Sequence, residues 1–135
     1  MTTRAVTPDP VIRVLAVVLG LFGLFALLGS LFMWGEGFIL SFPVEEGYHF
    51  AVADILVNAP ASILAAIGLW QMKRFGYVAA QFVAGFYIYA SVEIFVMVIE
   101  QGGPLPVAIV VPQVLAIVVA IVLVGYLWPR LERFG

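Results

Sequence analysis

The sequence predicts an all-α polytopic membrane protein with four transmembrane helices, arranged as two antiparallel hairpins with both termini in the cytoplasm. Composition predicts the class: 64% of the 135 residues are hydrophobic and only 10% are charged, whereas a soluble domain is usually about 45–50% apolar. A chain of this length has too little interior to bury such an excess, so a bilayer is its natural solvent. The positions of the few basic residues predict the orientation.

Four segments are apolar over the ~20 residues that a helix needs to cross the hydrocarbon core. The predicted spans are residues 14–34, 50–70, 75–99 and 105–128. Length and continuous apolar character favour helices over strands. We expect one four-helix domain at residues 11–135, preceded by a mobile cytoplasmic tail at residues 1–10. The first span is longer than the ~7–15 apolar residues of a signal peptide, and we expect it to be retained.

The basic residues fall in the N-terminal tail, the connection between spans two and three, and the C-terminal tail. They are Arg4, Arg13, Lys73, Arg74, Arg130 and Arg133. With four spans these three segments share one side of the membrane. The positive-inside rule therefore predicts a protein of the cell membrane with both termini cytoplasmic. Most of the acidic residues then lie in the outer half of the molecule.

The outer loops contain an acidic group and the only histidine of the chain. The outer-loop residues are Glu36, Glu45, Glu46, His49 and Glu100. Pro43 suits the first turn of a helix, and the two glutamates that follow would each be stabilised there by ~0.3–1 kcal/mol through the helix dipole. The histidine suits headgroup depth, as an amphipathic side chain. A structural role at the start of span two is thus the first interpretation of this loop.

The same loop has a local resemblance to a known family. The pattern Pro43-x-Glu45-Glu46-x-x-x-Phe50 resembles the P-x-E-E motif of the small membrane lycopene cyclases of the heterodimeric or fused carotenoid type. The resemblance covers eight of the 135 residues. It implies that the acidic pair would supply protons to a polyene. An enzyme acting on a carotenoid-like substrate is therefore kept as an alternative.

Polar residues at membrane depth form the candidate intramembrane cluster. They are Asp54, Asn58, Glu93 and Gln113. A charged residue near the bilayer centre costs ~2.5 kcal/mol or more and normally faces other helices. Two interpretations stay open, polar packing within the bundle and a functional acidic site.

Helical spacing places part of this cluster on one contact face. Asp54 and Asn58 are four residues apart, and their face continues into Ala61 and Ala65, whose small side chains allow close helix contact. Glu93 has a similar depth on the span that follows a very short turn. We therefore expect Asp54, Asn58 and Glu93 to meet, with the two carboxyl groups sharing a proton or a cation.

Several chemistries are disfavoured. The chain has no cysteine, which excludes disulfides, thiolate metal sites and dithiol redox chemistry. The net charge of −2 gives no basic patch for nucleic acid. There is no Glu-x-x-His pair of the kind used by di-iron bundles, and no Walker loop, Ser-His-Asp set or dinucleotide fingerprint. We predict no metal and no cofactor, and no catalytic residue is identified.

Three functional classes remain. Small size, short loops and an apolar fourth span favour a non-catalytic subunit or accessory protein of a larger membrane complex. Asp54 and Glu93 would suit a carrier or channel for protons or cations, built as a homo-oligomer. An enzyme acting on a lipophilic substrate is the third class, and we lean against it. Tyr87 and Tyr89, near mid-span, suit core packing better than contact with a lipid-like, quinone-like or carotenoid ligand. Membrane lipid and other membrane subunits are the expected partners.

Overall fold

A computed structural model describes residues 7–35, 50–102 and 107–135. Over these residues the chain is 92% helical and contains no strand. The helices are α1 (Pro10–Gly35), α2 (in three parts, Phe50–Ala53, Asp54–Asn58 and Ala59–Trp70), α3 (Arg74–Gln101) and α4 (Val107–Leu127), which continues into a 3₁₀ turn, Trp128–Arg133. Four helices are long and apolar enough to cross a membrane, which confirms that part of the prediction.

Helix α1 begins four residues before the predicted apolar span because two start signals precede that span. The backbone N–H of Ile12 donates a hydrogen bond to Asp9 Oδ1 at 3.0 Å, which satisfies one of the free donors of the first turn. Pro10 is the first helical residue, where its fixed φ fits and its missing N–H costs nothing. Of the predicted mobile tail, residues 1–6 lie outside the described residues, and Asp9 is held by its capping contact.

Small residues bring α1 and α2 together. A Cβ added to Gly20 would lie 3.6 Å from the Cβ of Ala66, and one added to Gly23 would lie 3.0 Å from Cγ1 of Ile63. The partners run in opposite order along the two helices, so the pair is antiparallel. Ala65 is fully buried, as expected for the predicted contact face.

The turn between α2 and α3 is held by a contact between two glycine backbones. A Cβ on Gly68 would overlap the backbone of Gly76, and a Cβ on Gly76 would overlap the backbone of Gly68. The Lys73 N–H donates to the Gly68 carbonyl at 2.8 Å. Met72 adopts φ 54° within this turn and is buried. The close approach therefore depends on glycine at both positions.

The C-terminal residues pack onto the same turn. The Arg74 N–H donates to the Gly135 carbonyl at 2.9 Å, and the Gly135 N–H donates to the Met72 carbonyl at 3.1 Å. The Phe134 ring is buried and lies 5.5 Å from the Tyr77 ring, centroid to centroid. We call this end of the bundle, made by residues 7–13, 68–77 and 126–135, the basic end.

An ion pair joins the two tails at the basic end. Arg133 Nη1 lies 2.7 Å from Asp9 Oδ2. Burial raises the pKa of Asp9, but hydrogen bonds from the Ile12 N–H and from the side chains of Arg133 and Tyr126 outweigh it, so this pKa lies below its ordinary value. Arg130 stacks 3.7 Å above the Tyr126 ring centroid. Both tails and the α2–α3 connection thus meet at one end of the bundle.

Candidate ligand-binding cavity

The opposite half of the bundle contains a cavity of about 450 Å³, and we call this half the cavity end. All four helices contribute to its walls, which are predominantly apolar. The lining residues are Phe22, Phe25, Ala26, Gly29 and Ser30 of α1, Ala51, Asp54 and Asn58 of α2, Phe86, Tyr87, Ala90, Ser91 and Ile94 of α3, and Pro112, Gln113, Leu115 and Ala116 of α4. Asp54 is the charged side chain among them.

A π-helical segment positions Asp54. Residues Asp54–Asn58 form a π-helix, in which the Ala59 N–H donates to the Asp54 carbonyl five residues back. Pro60 follows directly, and because it has no N–H it cannot donate to a carbonyl of the preceding turn. Single π-turns inside α-helices occur frequently at functional sites. The wider turn thus coincides with the part of α2 that faces the cavity.

A chain of side-chain hydrogen bonds runs from Asp54 into the core. Asn58 Nδ2 donates to Asp54 Oδ1 at 2.8 Å, and Ser62 Oγ donates to Asn58 Oδ1 at 3.0 Å. Ser62 Oγ also lies 3.0 Å from the Tyr87 hydroxyl. Because the single Ser62 hydrogen is used on Asn58, Tyr87 must be the donor to Ser62. Every donor in the chain therefore points toward the carboxylate.

A second polar contact links α3 and α4 across the cavity wall. Ser91 Oγ lies 3.1 Å from Gln113 Oε1 and 3.3 Å from the Gln113 carbonyl. Pro112 lies inside α4 and lines the cavity. It removes a helical N–H donor at this level of α4, as Pro60 does in α2. Both prolines therefore weaken the helical hydrogen bonding near the cavity.

The two tyrosines of the aromatic run in α3 differ. Tyr87 is buried and 4% exposed, whereas Tyr89 is 65% exposed. The Phe22 and Tyr87 rings are 5.7 Å apart, centroid to centroid, at an interplanar angle of 47°. Tyr87 thus combines core packing with a place on the cavity wall, whereas Tyr89 faces outward.

The predicted intramembrane cluster is only partly brought together. Asp54 and Asn58 are directly hydrogen-bonded, and Gln113 lines the same cavity. Glu93 is exposed and is not among the lining residues, so the expected contact between Asp54 and Glu93 is not found. The reason is angular: Glu93 is two residues from Ser91, which places it about 200° around α3 from a residue that faces the cavity.

Most of the predicted outer-loop group cannot be placed. Glu36, Glu45, Glu46 and His49 lie outside the described residues, and with them most of the P-x-E-E pattern. Glu100 is exposed near the end of α3. Within the described ranges no three His, Cys, Asp or Glu side chains are grouped closely enough to hold a metal ion.

Three serines and one tyrosine of the site were not predicted as site residues. Ser30, Ser62 and Ser91 are buried, and Ser62 connects the Asp54 chain to Tyr87. A signal was present for two of them: Ser62 continues the four-residue spacing of Asp54 and Asn58, and Ser91 has the same spacing from Tyr87. One buried polar atom, Gln81 Nε2, has no hydrogen-bond partner within the described part of the chain.

The fold and the cavity define a class of protein: an all-helical chain with four helices able to span a membrane and a partly polar cavity between them. The sequence matches no protein-family model, and no characterised protein or solved structure is significantly similar to it. The chemistry of the cavity is therefore the basis for assigning a function.

Proposed function

We propose that this protein is an integral membrane protein that binds a lipophilic small molecule in the cavity between its four helices. The observation that carries the proposal is the cavity itself, about 450 Å³ with mostly apolar walls and a few convergent polar groups. Small-molecule sites are typically ~300–1,000 Å³ and combine apolar walls with a few polar groups that orient the ligand. Asp54 would be the principal orienting group.

The polar groups at the wall support binding over simple polar packing. A carboxylate at membrane depth is costly, and packing alone would be achieved more cheaply by an apolar side chain. Asn58 and Ser62 stabilise the Asp54 carboxyl without filling the space in front of it, since Asp54 still lines the cavity. This arrangement indicates that the Asp54 carboxyl is available for contact with a ligand.

We further propose that the protein lies in the cell membrane with its basic end in the cytoplasm. Five of the basic residues fall within the described part of the chain, and the positive-inside rule assigns their side to the cytoplasm. A reporter active only in the cytoplasm should give signal when fused at Gly135 or in the connection at residues 71–73. It should be silent near residue 45 and near residue 103, and signal at residue 45 would contradict the orientation.

Filling the cavity tests the binding function. Ala90 lines the cavity, whereas Val92, on the same helix, is 50% exposed. Native mass spectrometry from gentle detergent should show a retained lipophilic molecule on the wild type and on Val92→Phe, but not on Ala90→Phe. Equal retention by both variants would show that the molecule binds elsewhere, and the cavity would lose its assigned role.

A second candidate function is the accessory subunit, and the exposure of α4 favours it. In the apolar window of this span 17% of the residues are buried, against 28% in each of the other three. An exposed apolar helix suits contact with lipid or with another membrane subunit. Val118→Trp with Ile121→Trp would alter this face without touching the cavity lining. If a stable partner is lost from the purified complex while ligand retention is unchanged, the subunit role and the binding role coexist.

A further inference from the structure

We propose, on the basis of the proposed function, that the ligand is a lipophilic cation: an amine, protonated or quaternary, carried on an apolar body, whose charge pairs with Asp54. The proposal depends on three properties of the cavity: its charge, the direction of its hydrogen bonds and its aromatic walls.

The charge of the cavity is one-sided. Among the described residues that line the cavity, Asp54 is the only carboxylic acid, and none is basic. The nearest counter-charges in the described ranges belong to Arg13, Lys73, Arg74 and the arginines after α4, which lie at the basic end. A carboxylate in a low-dielectric site is stabilised strongly by a cation at contact distance. The missing positive charge is therefore the feature that a ligand would supply.

The hydrogen bonds around Asp54 favour its ionised form. Asn58 donates to Oδ1, Ser62 donates to Asn58, and Tyr87 donates to Ser62. An ionised carboxylate accepts hydrogen bonds only, and donors oriented toward it stabilise its charge. Among the described residues Oδ1 is the oxygen with a partner, which leaves Oδ2 for a donor or a cation in the cavity.

The walls suit the body and the charge of such a ligand. Phe22, Phe86 and Tyr87 line the same cavity as Asp54. Aromatic rings attract a cation held within about 6 Å of the ring centroid, and quaternary ammonium groups are bound in this way in aromatic cages. Apolar walls bind the rest of the molecule. A neutral lipid would use the walls but would leave the carboxylate unpaired.

The alternative chemistry is a neutral ligand with Asp54 protonated. In that state Asp54 would donate to Asn58, the amide of Asn58 would turn over, and the chain would reverse as far as Tyr87, whose hydroxyl hydrogen would become free for the cavity. The ligand would then need a hydrogen-bond acceptor and no charge. The two states predict opposite preferences between a cation and its neutral isostere.

The test uses two probes of the same shape, benzyltrimethylammonium and neopentylbenzene, which differ by nitrogen against carbon at the quaternary centre. Calorimetric titration of the full chain in lipid nanodiscs should show about tenfold or tighter binding of the cation over the neutral probe. Asp54→Asn should abolish the preference by lowering the affinity for the cation. The affinity for the neutral probe should stay within about threefold of the wild-type value. Glu93→Gln, which removes an exposed carboxylate of α3, should change neither affinity.

The outcomes separate the two proposals. Equal or tighter binding of the neutral probe by the wild type overturns the cation inference and leaves the lipophilic-binding function in place. Saturable binding of neither probe, together with no effect of Ala90→Phe on retained molecules, overturns both. A cation preference that persists in Asp54→Asn overturns the role of this carboxylate. The comparison of probes on the wild type decides the ligand class even if Asp54→Asn does not fold.

Discussion

The basic end and the cavity end of the bundle use opposite kinds of packing. At the basic end the backbones of Gly68 and Gly76 touch. The buried ring of Phe134 packs there against the ring of Tyr77. At the cavity end all four helices line about 450 Å³ of space, with Asp54 on the wall. One half of the molecule thus has backbone-to-backbone contact, and the other half has a cavity with mostly apolar walls and a few polar groups.

This contrast shows how a small membrane protein can support a cavity. Between helices in lipid the hydrophobic effect is weak, and close packing supplies much of the stability. The glycine contact brings the backbones of α2 and α3 together where the chain reverses. The π-turn and Pro60 in α2, and Pro112 in α4, reduce the regularity of the helices at the other end. We therefore expect the basic end to contribute more to stability than the cavity end.

The largest effect is expected from breaking the glycine contact. Gly68→Ala places a methyl group against the backbone of Gly76, and a backbone cannot move aside as a side chain can. Overpacking costs ~1–3 kcal/mol and sometimes more, and we expect a loss of about 3 kcal/mol or greater in unfolding free energy. Unfolding in mixed detergent micelles measures it.

Matched glycines supply the control for this variant. Gly85 and Gly125 lie in helices, and an added Cβ there would have no atom within 4 Å from the rest of the described chain, outside the local helix backbone. Alanine there should therefore be neutral or should stabilise by up to about 1 kcal/mol. If Gly68→Ala is no worse than Gly85→Ala, the two backbones are not in contact, and the contrast between the two ends disappears.

Removal of the Phe134 ring is expected to have the next largest effect. Phe134 is 6% exposed and packs against Tyr77. Phe→Ala in a core costs ~3–5 kcal/mol, and we expect about 3 kcal/mol because the residue lies at the margin of the bundle. Leu131→Ala, at a 38% exposed position of the 3₁₀ turn just before Phe134, should cost less than 1 kcal/mol. The ligand affinity of Phe134→Ala should equal that of the wild type, since the cavity lies at the other end.

The sequence predicts the helices better than the cavity, for physical reasons. A run of about 20 apolar residues has essentially one solution in a bilayer, so the four helices follow from composition. Asp54 and Asn58 share a face because they are four residues apart, and their side chains are hydrogen-bonded in the structure. Glu93 illustrates the limit: its depth is predictable from its position in the span, but its direction depends on how α3 is rotated, which no local pattern determines.

The contact between Gly68 and Gly76 illustrates a second limit of sequence. Glycine before and after a short connection is common, and only the packed turn shows that the two backbones touch. The serine bridge from Asn58 to Tyr87 likewise needs α2 and α3 to be in register. Local spacing along one helix predicts which residues share a face. The residues that they contact on the neighbouring helix depend on tertiary packing.

Disconnecting the hydrogen-bond chain should have intermediate effects that differ in a defined order. Tyr87→Phe removes one donor, and a typical hydrogen bond contributes ~0.5–1.5 kcal/mol. Ser62→Ala leaves both Asn58 Oδ1 and the Tyr87 hydroxyl without their partner, and we expect about 2 kcal/mol. Tyr89→Phe, at a 65% exposed position, should change nothing. If Tyr87→Phe costs as much as Ser62→Ala, the bond from Ser62 to Asn58 contributes little.

The smallest effect is expected from the ion pair between Asp9 and Arg133, and its pH dependence tests it. The pair is partly exposed, at 23% and 39% of the two side chains, and such pairs contribute ~0–1 kcal/mol. The pKa of Asp9 is lowered in the folded state, so its contribution is fully present above the ordinary value of 3.8 and is lost as the pH falls through the lower folded-state value. Asp9→Asn keeps the helix cap, because asparagine caps as well as aspartate, and removes only the charge.

Thermal midpoints of the wild type and Asp9→Asn should therefore differ slightly near neutral pH and converge in acid. Glu132→Gln, an exposed change beside Arg133, should leave the thermal midpoint unchanged both near neutral pH and in acid. A difference between wild type and Asp9→Asn that persists in acid would assign the effect to the geometry of the cap and not to the ion pair that joins the two tails.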